Sequence, residues 1–293
     1  MNILLTGATG FIGNRVLEIL SKKNINIYAT YKTQKPRFLI NKNIKWIKFD
    51  IYKLNSLKIK LQYVDLVIHL SWPYLPDYNT KKHLNPNLNA QKNFIKKLIN
   101  SGVKNFFIAG TCYEYGKKNG KLIEGAKKNP NNPYALSKDL FRKYLYRLNK
   151  KKIINIVWGR IFYIYGFNNR RDTLYNLVTK SKRIKNISVA SNFYRDYLNI
   201  DVLAKIIVIL SLQKKNFGEV NLCSGFSISL KKLTNYFCKV NKISNNINYE
   251  KKINKLEADN FCGNNNKLIK ILKNSLSENK FNQLKLLMVK HKK

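Results

Sequence analysis

The chain has 293 residues, which is long enough for one large domain or for two unequal ones. Its formal charge is +41, from 56 Lys and Arg against 15 Asp and Glu, which raises the question of a polyanionic partner. Only nine of the basic residues are Arg, the residue that recognises phosphates and bases in a bidentate manner, so the composition favours a solvated lysine surface over a nucleic-acid site.

Short apolar runs alternate with longer segments of helical periodicity along the first half of the chain. The runs predict six strands, at Ile3–Leu5, Ile25–Ala29, Ile44–Phe49, Leu66–Leu70, Asn105–Ala109 and Ile153–Trp158. Apolar residues recur at helical spacing in three segments, FIGNRVLEILSKKN, PNLNAQKNFIKKLINSG and PYALSKDLFRKYLYRLNKK. This alternation predicts an α/β fold, a Rossmann-type doubly wound parallel sheet.

The alternation ends near Gly166, where the sequence becomes polar and basic and the later apolar segments are shorter. We therefore expect two regions of unequal size. The doubly wound domain is expected to comprise residues 1–166 and 197–226. A smaller mixed α/β region, expected to bind the substrate, comprises residues 167–196 and 227–293.

The opening stretch MNILLTGATGFIG places Gly7, Gly10 and Gly13 directly after the first predicted strand. In a βαβ unit, glycines at these positions let the chain turn tightly and let phosphate oxygens approach the backbone at the positive end of the first helix. A glycine-rich turn without a ligand has the same pattern. Here the turn follows a strand and opens a helix in a chain with the right alternation, so the stretch predicts a dinucleotide site.

The second predicted strand bears on which dinucleotide is bound. A carboxylate at its end would hydrogen-bond the 2′-hydroxyl of NAD and repel the 2′-phosphate of NADP. No acidic residue lies between Ile25 and Arg37, whereas Lys32, Lys35 and Arg37 are present. The sequence leaves NAD(H) and NADP(H) open and favours NADP(H), the alternative being that these are further surface residues of a lysine-rich chain.

Tyr134 and Lys138, in PYALSK, stand four residues apart at the start of a predicted helix, so both side chains lie on one face. A lysine ammonium beside a phenol lowers the pKa of the phenol, which makes the tyrosine a usable proton donor or acceptor near neutral pH. Thr111 lies at the carboxyl end of the fifth predicted strand, the edge where parallel sheets bind ligands. We expect Thr111 to hydrogen-bond the oxygen that Tyr134 protonates.

With these residues in place, the sequence resembles the extended short-chain dehydrogenase/reductases, a family of NAD(P)-dependent nucleotide-sugar epimerases, dehydratases and reductases. The resemblance covers nearly the whole chain, in the family's order, through TGATGFIG, FDI, DLVIHLSW, NPNLNAQKNF, GTCYEYG, PYALSK, WGRIFYIYG, RDYLNIDVLA and NLCSGFSISLKKL. Within the family, GTCYEYG, HLSWPYLPDY, GRIFYIYG and FCGNNNKL are similar to the branch of dTDP-6-deoxy-L-talose 4-dehydrogenase-like 4-keto-sugar reductases.

The resemblance implies a role for individual residues. It identifies Thr111, Tyr134 and Lys138 as catalytic, with Lys138 also holding the nicotinamide ribose. The implied cofactor contacts are Gly7, Thr9, Gly10, Phe11, Ile12, Tyr31, Lys32, Asp50 at the adenine, Ile51, Leu70, Ser71, Tyr134 and Lys138. The implied substrate contacts are Trp72, Thr111, Cys112, Tyr163 where the family usually has an Asn, and Arg195 at the diphosphate of a sugar nucleotide.

Departures from the family pattern narrow the implied reaction. The 4,6-dehydratases carry Asp and Glu after the catalytic Thr, and the epimerase-reductases of fucose synthesis carry a cysteine two places after the catalytic Ser, whereas Cys112 and Tyr113 follow Thr111 here. The resemblance therefore implies an NAD(P)H-dependent reductase of a nucleotide-activated 4-keto-6-deoxy sugar, in deoxysugar or surface-polysaccharide biosynthesis. A nucleotide-sugar 4-epimerase with tightly bound NAD is the alternative. A non-catalytic nucleotide- or RNA-binding protein on the same fold is a third hypothesis, suggested by the charge alone.

Cysteine and histidine predict little further chemistry. The four cysteines and three histidines are far apart, so the sequence encodes neither a disulfide framework nor a metal site. His69 is interpreted as a satisfied core residue, Cys112 also fits a small core residue, and packing is the alternative for Trp72. Scattered cysteines and apolar runs far short of a membrane span favour a cytoplasmic protein without membrane contact. A homodimer would accord with the family.

Overall fold

The computed structural model describes residues 1–36, 41–150, 154–166, 175–176, 187–242, 247–251 and 258–290. The chain divides into two units. The first comprises Met1–Glu114, Lys128–Arg160 and Ala204–Val220, and the second comprises Tyr115–Lys127, Ile161–Leu203 and Asn221–Lys293. The domain boundaries expected from the sequence stay a prediction.

Strand and helix alternate in the first half of the chain, as the periodicity predicts. In chain order the elements are β1 (Asn2–Thr6), α1 (Phe11–Ser21), β2 (Asn26–Tyr31), β3 (Ile44–Lys48), β4 (Leu66–His69), α2 (Asn87–Asn100), β5 (Asn105–Thr111), β6 (Gly120–Leu122), α3 (Pro133–Asn149) and β7 (Asn155–Ile161). All six predicted strands and all three predicted helices are present. Ile153, where the sixth strand was expected to begin, lies outside the described residues.

Shorter strands follow in the second half. In chain order the elements are β8 (Tyr163–Tyr165), β9 (Ile187–Ala190), β10 (Tyr194–Arg195), β11 (Tyr197–Asn199), α4 (Ile200–Leu212), β12 (Gly218–Leu222), β13 (Ile228–Ser229), α5 (Leu230–Val240), β14 (Ile247–Glu250), β15 (Phe261–Gly263), α6 (Asn266–Ser275) and α7 (Glu278–Met288). None of the helices in the described ranges is long and apolar enough to cross a membrane.

Seven strands form one sheet in the order β12-β7-β5-β4-β1-β2-β3. The pairs from β3 to β5 are parallel, with Leu4 opposite Tyr28 on one side and Val67 on the other. The chain runs outward from β1 to β3 and returns to β4 on the far side of β1, so the strand order reverses between β1 and β4. Open α/β sheets bind ligands at the carboxyl ends of the strands beside such a reversal. The predicted Rossmann-type fold is confirmed.

The core of the first unit packs helix α2 against the sheet. Phe94 and Leu98 of α2 are fully buried, together with Leu4, Val67 and Ile108 of the central strands. Fully burying one such side chain stabilises the fold by about 1.5–3 kcal/mol. This packing holds the carboxyl ends of β1, β4 and β5, where the predicted site residues lie, in a fixed register.

In its described residues the second unit has four two-stranded pairs: β8 with β11, β6 with β15 and β9 with β14 are parallel, and β10 with β13 is antiparallel. Ser229 caps the start of helix α5, since its side chain accepts from Lys232 N at 3.2 Å. Leu233 and Phe237 of α5 pack with Tyr165 in a small apolar cluster.

Candidate active site

Three glycines shape the turn between β1 and α1. Gly7 has φ +69°, in the left-handed region that favours glycine. A Cβ added to Gly7 would lie 2.9 Å from Ser71 N, and one added to Gly13 would lie 2.0 Å from the Gly7 carbonyl oxygen. Gly10 N donates to that same oxygen at 2.9 Å. The backbone therefore closes so tightly that side chains at positions 7 and 13 are excluded.

The first turn of α1 leaves backbone N–H groups for a ligand. No acidic residue lies in that turn, and within residues 1–36 no side chain caps the helix at Gly10. Uncapped N–H groups at the positive end of a helix form an anion site. Of the other predicted cofactor residues here, Thr9 is exposed and Phe11 and Ile12 are half-buried. The turn fits a pyrophosphate, the group predicted for it.

The ends of β2 and β3 come together at the predicted ribose and adenine positions. Tyr31 is the last residue of β2, and the Lys32 ammonium that follows it forms an ion pair of 3.3 Å with Asp50. Lys32 Nζ also lies 5.5 Å from the centroid of the Tyr52 ring. Ile51 is buried beside them. The sequence did not predict that Lys32 and Asp50 pair.

Leu70 and Ser71 follow β4 and belong to a buried hydrogen-bond network. Ser71 N donates to Thr6 Oγ1 at 3.4 Å, and Thr6 Oγ1 lies 2.7 Å from His69 Nδ1. His69 Nε2 lies 2.6 Å from Gln91 Oε1, and Gln91 Nε2 donates to Ser71 O at 3.2 Å. Because Gln91 Oε1 can only accept, the His69 proton is assigned to Nε2. Burial lowers the pKa of His69 to about 3, so the ring stays neutral and is the satisfied core residue that was predicted.

Thr111, Tyr134 and Lys138 lie together in the first unit. Thr111 ends β5, and Asn132 caps α3 by accepting from Ala135 N at 2.8 Å, so Tyr134 and Lys138 occupy the first two turns of the helix. Their exposed fractions are 5%, 8% and 3%, respectively. The Thr111 side chain hydrogen-bonds the Tyr134 phenol. The Thr111 hydroxyl therefore lies beside the Tyr134 phenol, and the predicted bond from Thr111 to the oxygen that Tyr134 protonates stays a prediction.

The Lys138 ammonium contacts a carbonyl and an aromatic face. Lys138 Nζ donates to Ala109 O at 2.7 Å. It lies 3.6 Å from the centroid of the Trp72 ring and 5.9 Å from that of the Tyr134 ring. A cation over an aromatic face is attracted by the ring quadrupole. Trp72, predicted to contact substrate, thus packs directly on this lysine.

Burial reverses the expected effect of Lys138 on Tyr134. Burial raises the pKa of Tyr134 far above its ordinary value, Tyr78 raises it further, and the hydrogen bond with Thr111 lowers it only in part. Burial likewise lowers the pKa of Lys138, to about 7, against the attraction of Glu114, which raises it. The predicted lowering of the Tyr134 pKa is therefore wrong for this arrangement, because desolvation disfavours the charged form of each group. Tyr134 is therefore a neutral phenol near pH 7 and holds its proton.

Aromatic side chains that the motifs did not single out surround Tyr134. The ring centroids of Tyr78, Tyr113 and His83 lie 5.4, 6.5 and 5.3 Å from that of Tyr134. Trp72 Nε1 donates to His83 Nδ1 at 3.2 Å, which joins the two ends of the segment between β4 and α2. Tyr78 is 39% exposed and borders solvent. The available signal was the density of aromatic residues in HLSWPYLPDY, directly after a strand of the binding edge.

Three predicted substrate contacts remain. Cys112 follows Thr111 in a single turn of 3-10 helix and is 4% exposed. Tyr163 lies in β8 and Arg195 in β10, both in the second unit. Arg195 is 2% exposed and donates to Asp259 O at 2.9 Å. Their roles as substrate contacts stay predictions.

The arrangement of glycine turn, β4 edge and tyrosine helix can be compared with known proteins. The sequence model of the NAD dependent epimerase/dehydratase family matches residues 3–223 of the 293. The chain belongs to this family. The match begins in β1 and runs to the residue after β12, so it includes every strand of the seven-stranded sheet.

Individual members of the NAD dependent epimerase/dehydratase family show how far the likeness extends. The chain is 27% identical over 239 residues to dTDP-6-deoxy-L-talose 4-dehydrogenase (NAD(+)) of Aggregatibacter actinomycetemcomitans, over 79% of this chain and 87% of that protein. It is 28% identical over 256 residues to dTDP-4-dehydro-6-deoxyglucose reductase of Escherichia coli, over 79% of each chain. The predicted likeness to the 4-keto-sugar reductase branch is confirmed.

A solved structure extends the likeness of fold to the whole chain. UDP-glucuronic acid 4-epimerase from Bacillus cereus, in complex with UDP-glucuronic acid and NAD, matches with a TM-score of 0.78 and 24% identity, over 100% of this chain and 99% of that one. Dehydrogenase, reductase and epimerase thus all occur among the similar proteins. As a family member, the protein is an NAD-dependent oxidoreductase or epimerase, and the uncapped first turn of α1 after the glycine turn fits the pyrophosphate of such a dinucleotide.

Proposed function

We propose that the protein reduces the keto group of a nucleotide-activated 4-keto-6-deoxy sugar with NAD(P)H. The observation that carries the proposal is the buried phenol of Tyr134, which is hydrogen-bonded by Thr111 and kept protonated by burial. Reduction of a ketone consumes one proton at the carbonyl oxygen, and a neutral phenol held at that point can supply it. Cys112 and Tyr113, in place of the acidic pair used for dehydration, support reduction over loss of water.

The cofactor supplies the hydride when it is bound. We assign its pyrophosphate to the turn at Gly7 and Gly10 and its nicotinamide ribose to Tyr134 and Lys138. Tyr134 Oη gives its proton to the oxygen that was the substrate carbonyl, and Thr111 Oγ1 orients that oxygen by a hydrogen bond. Holding both donors on a helix and a strand of the rigid core fixes the reacting geometry before substrate arrives.

The aromatic surroundings of Tyr134 support a 6-deoxy sugar as substrate. Tyr78 and Tyr113 offer apolar ring surface within 6.5 Å, centroid to centroid, of the proposed proton donor. A methyl group at C6 gains from contact with such surface, whereas a hydroxymethyl group there would lose part of its hydration. Tyr163 and Arg195 of the second unit stay proposed contacts of the sugar nucleotide, as does a homodimer for the assembly.

The cofactor is proposed to be NADP(H) in preference to NAD(H). No carboxylate lies on β2, and the ammonium of Lys32, which directly follows the strand, is 59% exposed. Lys35 is also exposed, whereas Arg37, the third predicted cation, lies outside the described residues. A 2′-phosphate would compete with Asp50 for Lys32, because phosphate carries the larger charge.

The second candidate is a 4-epimerase, which the fold likeness to UDP-glucuronic acid 4-epimerase supports. Such an enzyme would use the same three residues and return the hydride to the opposite face of the sugar. It would purify with tightly bound NAD and consume none. A reductase would instead oxidise added NADPH or NADH in step with product.

The test is a panel of dTDP-, GDP-, CDP- and UDP-linked 4-keto-6-deoxy sugars, each incubated with NADPH or NADH. Loss of reduced nicotinamide is followed by absorbance and the product by NMR. The proposal expects one mole of cofactor oxidised per mole of 4-hydroxy sugar formed. Interconversion of C4 epimers of 4-hydroxy sugar nucleotides without net oxidation, by protein that carries NAD from purification, would overturn it in favour of the epimerase.

A further inference from the structure

Glu114 is a fully buried carboxylate in the turn that follows β5, and the proposed chemistry does not use it. Its Oε1 accepts from Thr111 N at 2.9 Å and from Trp158 Nε1 at 3.0 Å. Its Oε2 accepts from Arg160 Nε at 3.1 Å and from Arg160 Nη2 at 2.8 Å. Four donors from β5 and β7 therefore hold both carboxylate oxygens and define where the turn that presents Thr111 must lie.

Arg160 extends this contact into a chain of ion pairs that ends on α3. Arg160 Nη2 lies 2.7 Å from Glu219 Oε2, and Glu219 Oε1 lies 2.7 Å from Arg142 Nη1. Arg142 Nη2 then lies 2.6 Å from Asp139 Oδ1, and Asp139 directly follows Lys138 in the helix. Glu114 is thus joined to the helix that carries the proposed proton donor by alternating charges from β7, β12 and α3.

The charge of Glu114 also acts on the proposed catalytic pair. It raises the pKa of Lys138 against the larger effect of burial, which lowers it. It also contributes to the raised pKa of Tyr134, for which burial is the largest cause. A nearby negative charge, here that of Glu114, favours the protonated form of both the ammonium and the phenol. Glu114 thus favours an ammonium ion at Lys138 and a neutral phenol at Tyr134.

Other titratable groups face the pair from every element packed against it. His69 lies at the end of β4, and Tyr78 and His83 lie in the segment between β4 and α2. Burial lowers the pKa of both histidines, so neither carries a charge near pH 7. Cys112 lies in the same 3-10 turn as Glu114. In the described part of the chain, Glu114 is thus the carboxylate whose attraction opposes the desolvation of Lys138.

We propose that Glu114 is a positioning residue of the active site: its carboxylate fixes the turn that carries Thr111, and its negative charge stabilises the ammonium form of Lys138. The assignment of Thr111 and Lys138 to the reaction rests on the proposed function. The effect of Glu114 on them is a property of the folded chain and can be measured without substrate.

The first measurement is a pH titration of the Lys138 amino group by ¹⁵Nζ-lysine NMR on the full chain, with the resonance assigned by its loss in Lys138→Arg. In Glu114→Gln the pKa of Lys138 should fall by about one unit or more, the effect of losing a nearby opposite charge. Glu219→Gln is the matched control, because it removes an equal charge from the same ion chain without contacting Thr111. An unchanged Lys138 titration in Glu114→Gln, or an equal shift in Glu219→Gln, would overturn the proposal.

The second measurement keeps the proposal testable if Glu114→Gln does not fold. Glu114→Asp retains the charge but shortens the side chain by one methylene, so its carboxylate no longer reaches Thr111 N. Hydrogen exchange at the Thr111 amide should then accelerate by about tenfold or more, as expected for loss of a buried hydrogen bond. Exchange at the parental rate would overturn the positioning role. A failed substrate panel with these two results intact would instead reject only the proposed reaction.

Discussion

Among the residues that the structure describes, each unit has a fully buried carboxylate that joins several segments, Glu114 in the first and Asp196 in the second, and the two have different kinds of partner. In the first unit Glu114 forms an ion pair with Arg160, which also forms an ion pair with Glu219. In the second unit Asp196 accepts from Ser224 N and Ser224 Oγ at 2.7 Å, from Gly225 N at 2.9 Å and from Gly263 N at 3.1 Å. These donors carry dipoles and no net charge.

The pKa of Asp196 shows what its neutral partners do not supply. Burial raises the pKa of Asp196 to about 6, and the bonds from Ser224, Gly225 and Gly263 lower it only in part. Neutral dipoles thus hold the chain in place without fully compensating the desolvated charge, whereas a guanidinium supplies a full opposite charge. In the second unit the carboxylate of Asp196 therefore fixes the positions of loop segments. The first unit uses a carboxylate to organise loops and to favour the charged form of a neighbouring lysine.

Removing the carboxylate of Asp196 in the second unit should have the greatest effect on stability. Asp196→Asn should lower the free energy of unfolding by about 2–6 kcal/mol, because an amide NH₂ would face the N–H groups of Gly225 and Gly263 and each would lose its acceptor at about 1–3 kcal/mol. Urea denaturation measures the change. Asp201→Asn, an exposed acid in the first turn of α4, should change stability by less than about 1 kcal/mol. Equal loss in both variants would contradict the structural role of Asp196.

The next prediction separates chemistry from stability in the first unit. Tyr134→Phe should slow turnover by about 10²–10⁴-fold, the typical contribution of a general acid, while the affinity for cofactor stays nearly parental. Steady-state rates and cofactor titration test the two halves. Tyr144→Phe, on the same helix, is the matched control and should keep the parental rate. Turnover by Tyr134→Phe at the parental rate would remove Tyr134 from the mechanism.

The pH dependence of stability sharpens the contrast between the two carboxylates. The folded pKa of Asp196, about 6, lies above the value of about 3.9 for an unfolded chain, so its contribution is fully present below pH 4 and is lost as the pH rises through 6. The shift corresponds to about 3 kcal/mol. The stability difference between the parental protein and Asp196→Asn should therefore shrink by about that amount between pH 4 and pH 7. A constant difference in urea denaturation across this range would show that Asp196 is not desolvated as its burial indicates.

The smallest expected effect concerns an exposed charge, where neither kind of burial operates. Lys32→Glu should change stability by no more than about 1 kcal/mol, because its pair with Asp50 is largely in solvent. Its preference for NADPH over NADH should fall by about tenfold, since the variant places a carboxylate at the proposed 2′-phosphate. Binding titrations with both cofactors measure the ratio. Lys22→Glu, at the far end of α1, is the control and should leave that ratio unchanged. An unchanged ratio in Lys32→Glu would contradict the proposed preference for NADP(H).

The local sequence pattern was sufficient to predict the strands, the helices and the glycine turn, because these depend on residues that are close together in the chain. The apolar runs predicted six of the seven strands of the sheet, and the predicted helical segment PNLNAQKNFIKKLINSG contains α2 and ends at Gly102, which adopts φ +94° just after the helix. The spacing of the glycines also predicted the turn between β1 and α1, because a side chain at Gly7 would collide with the neighbouring backbone. The strand β12 was not among the predicted runs, because its short, mixed sequence resembles a loop until its neighbours cover it.

What the sequence by itself determined, then, was the order of strand and helix, the cofactor turn, and the pairing of Tyr134 with Lys138 on one helix face. Only the tertiary structure decided their protonation. Burial, which depends on side chains from distant segments, outweighs the local attraction that predicted a lowered pKa for Tyr134. The ion pair between Glu114 and Arg160 also depends on the tertiary structure, because the spacing of a motif predicts only contacts between residues a few positions apart. Charge interactions and desolvation instead depend on all the groups that folding brings close together.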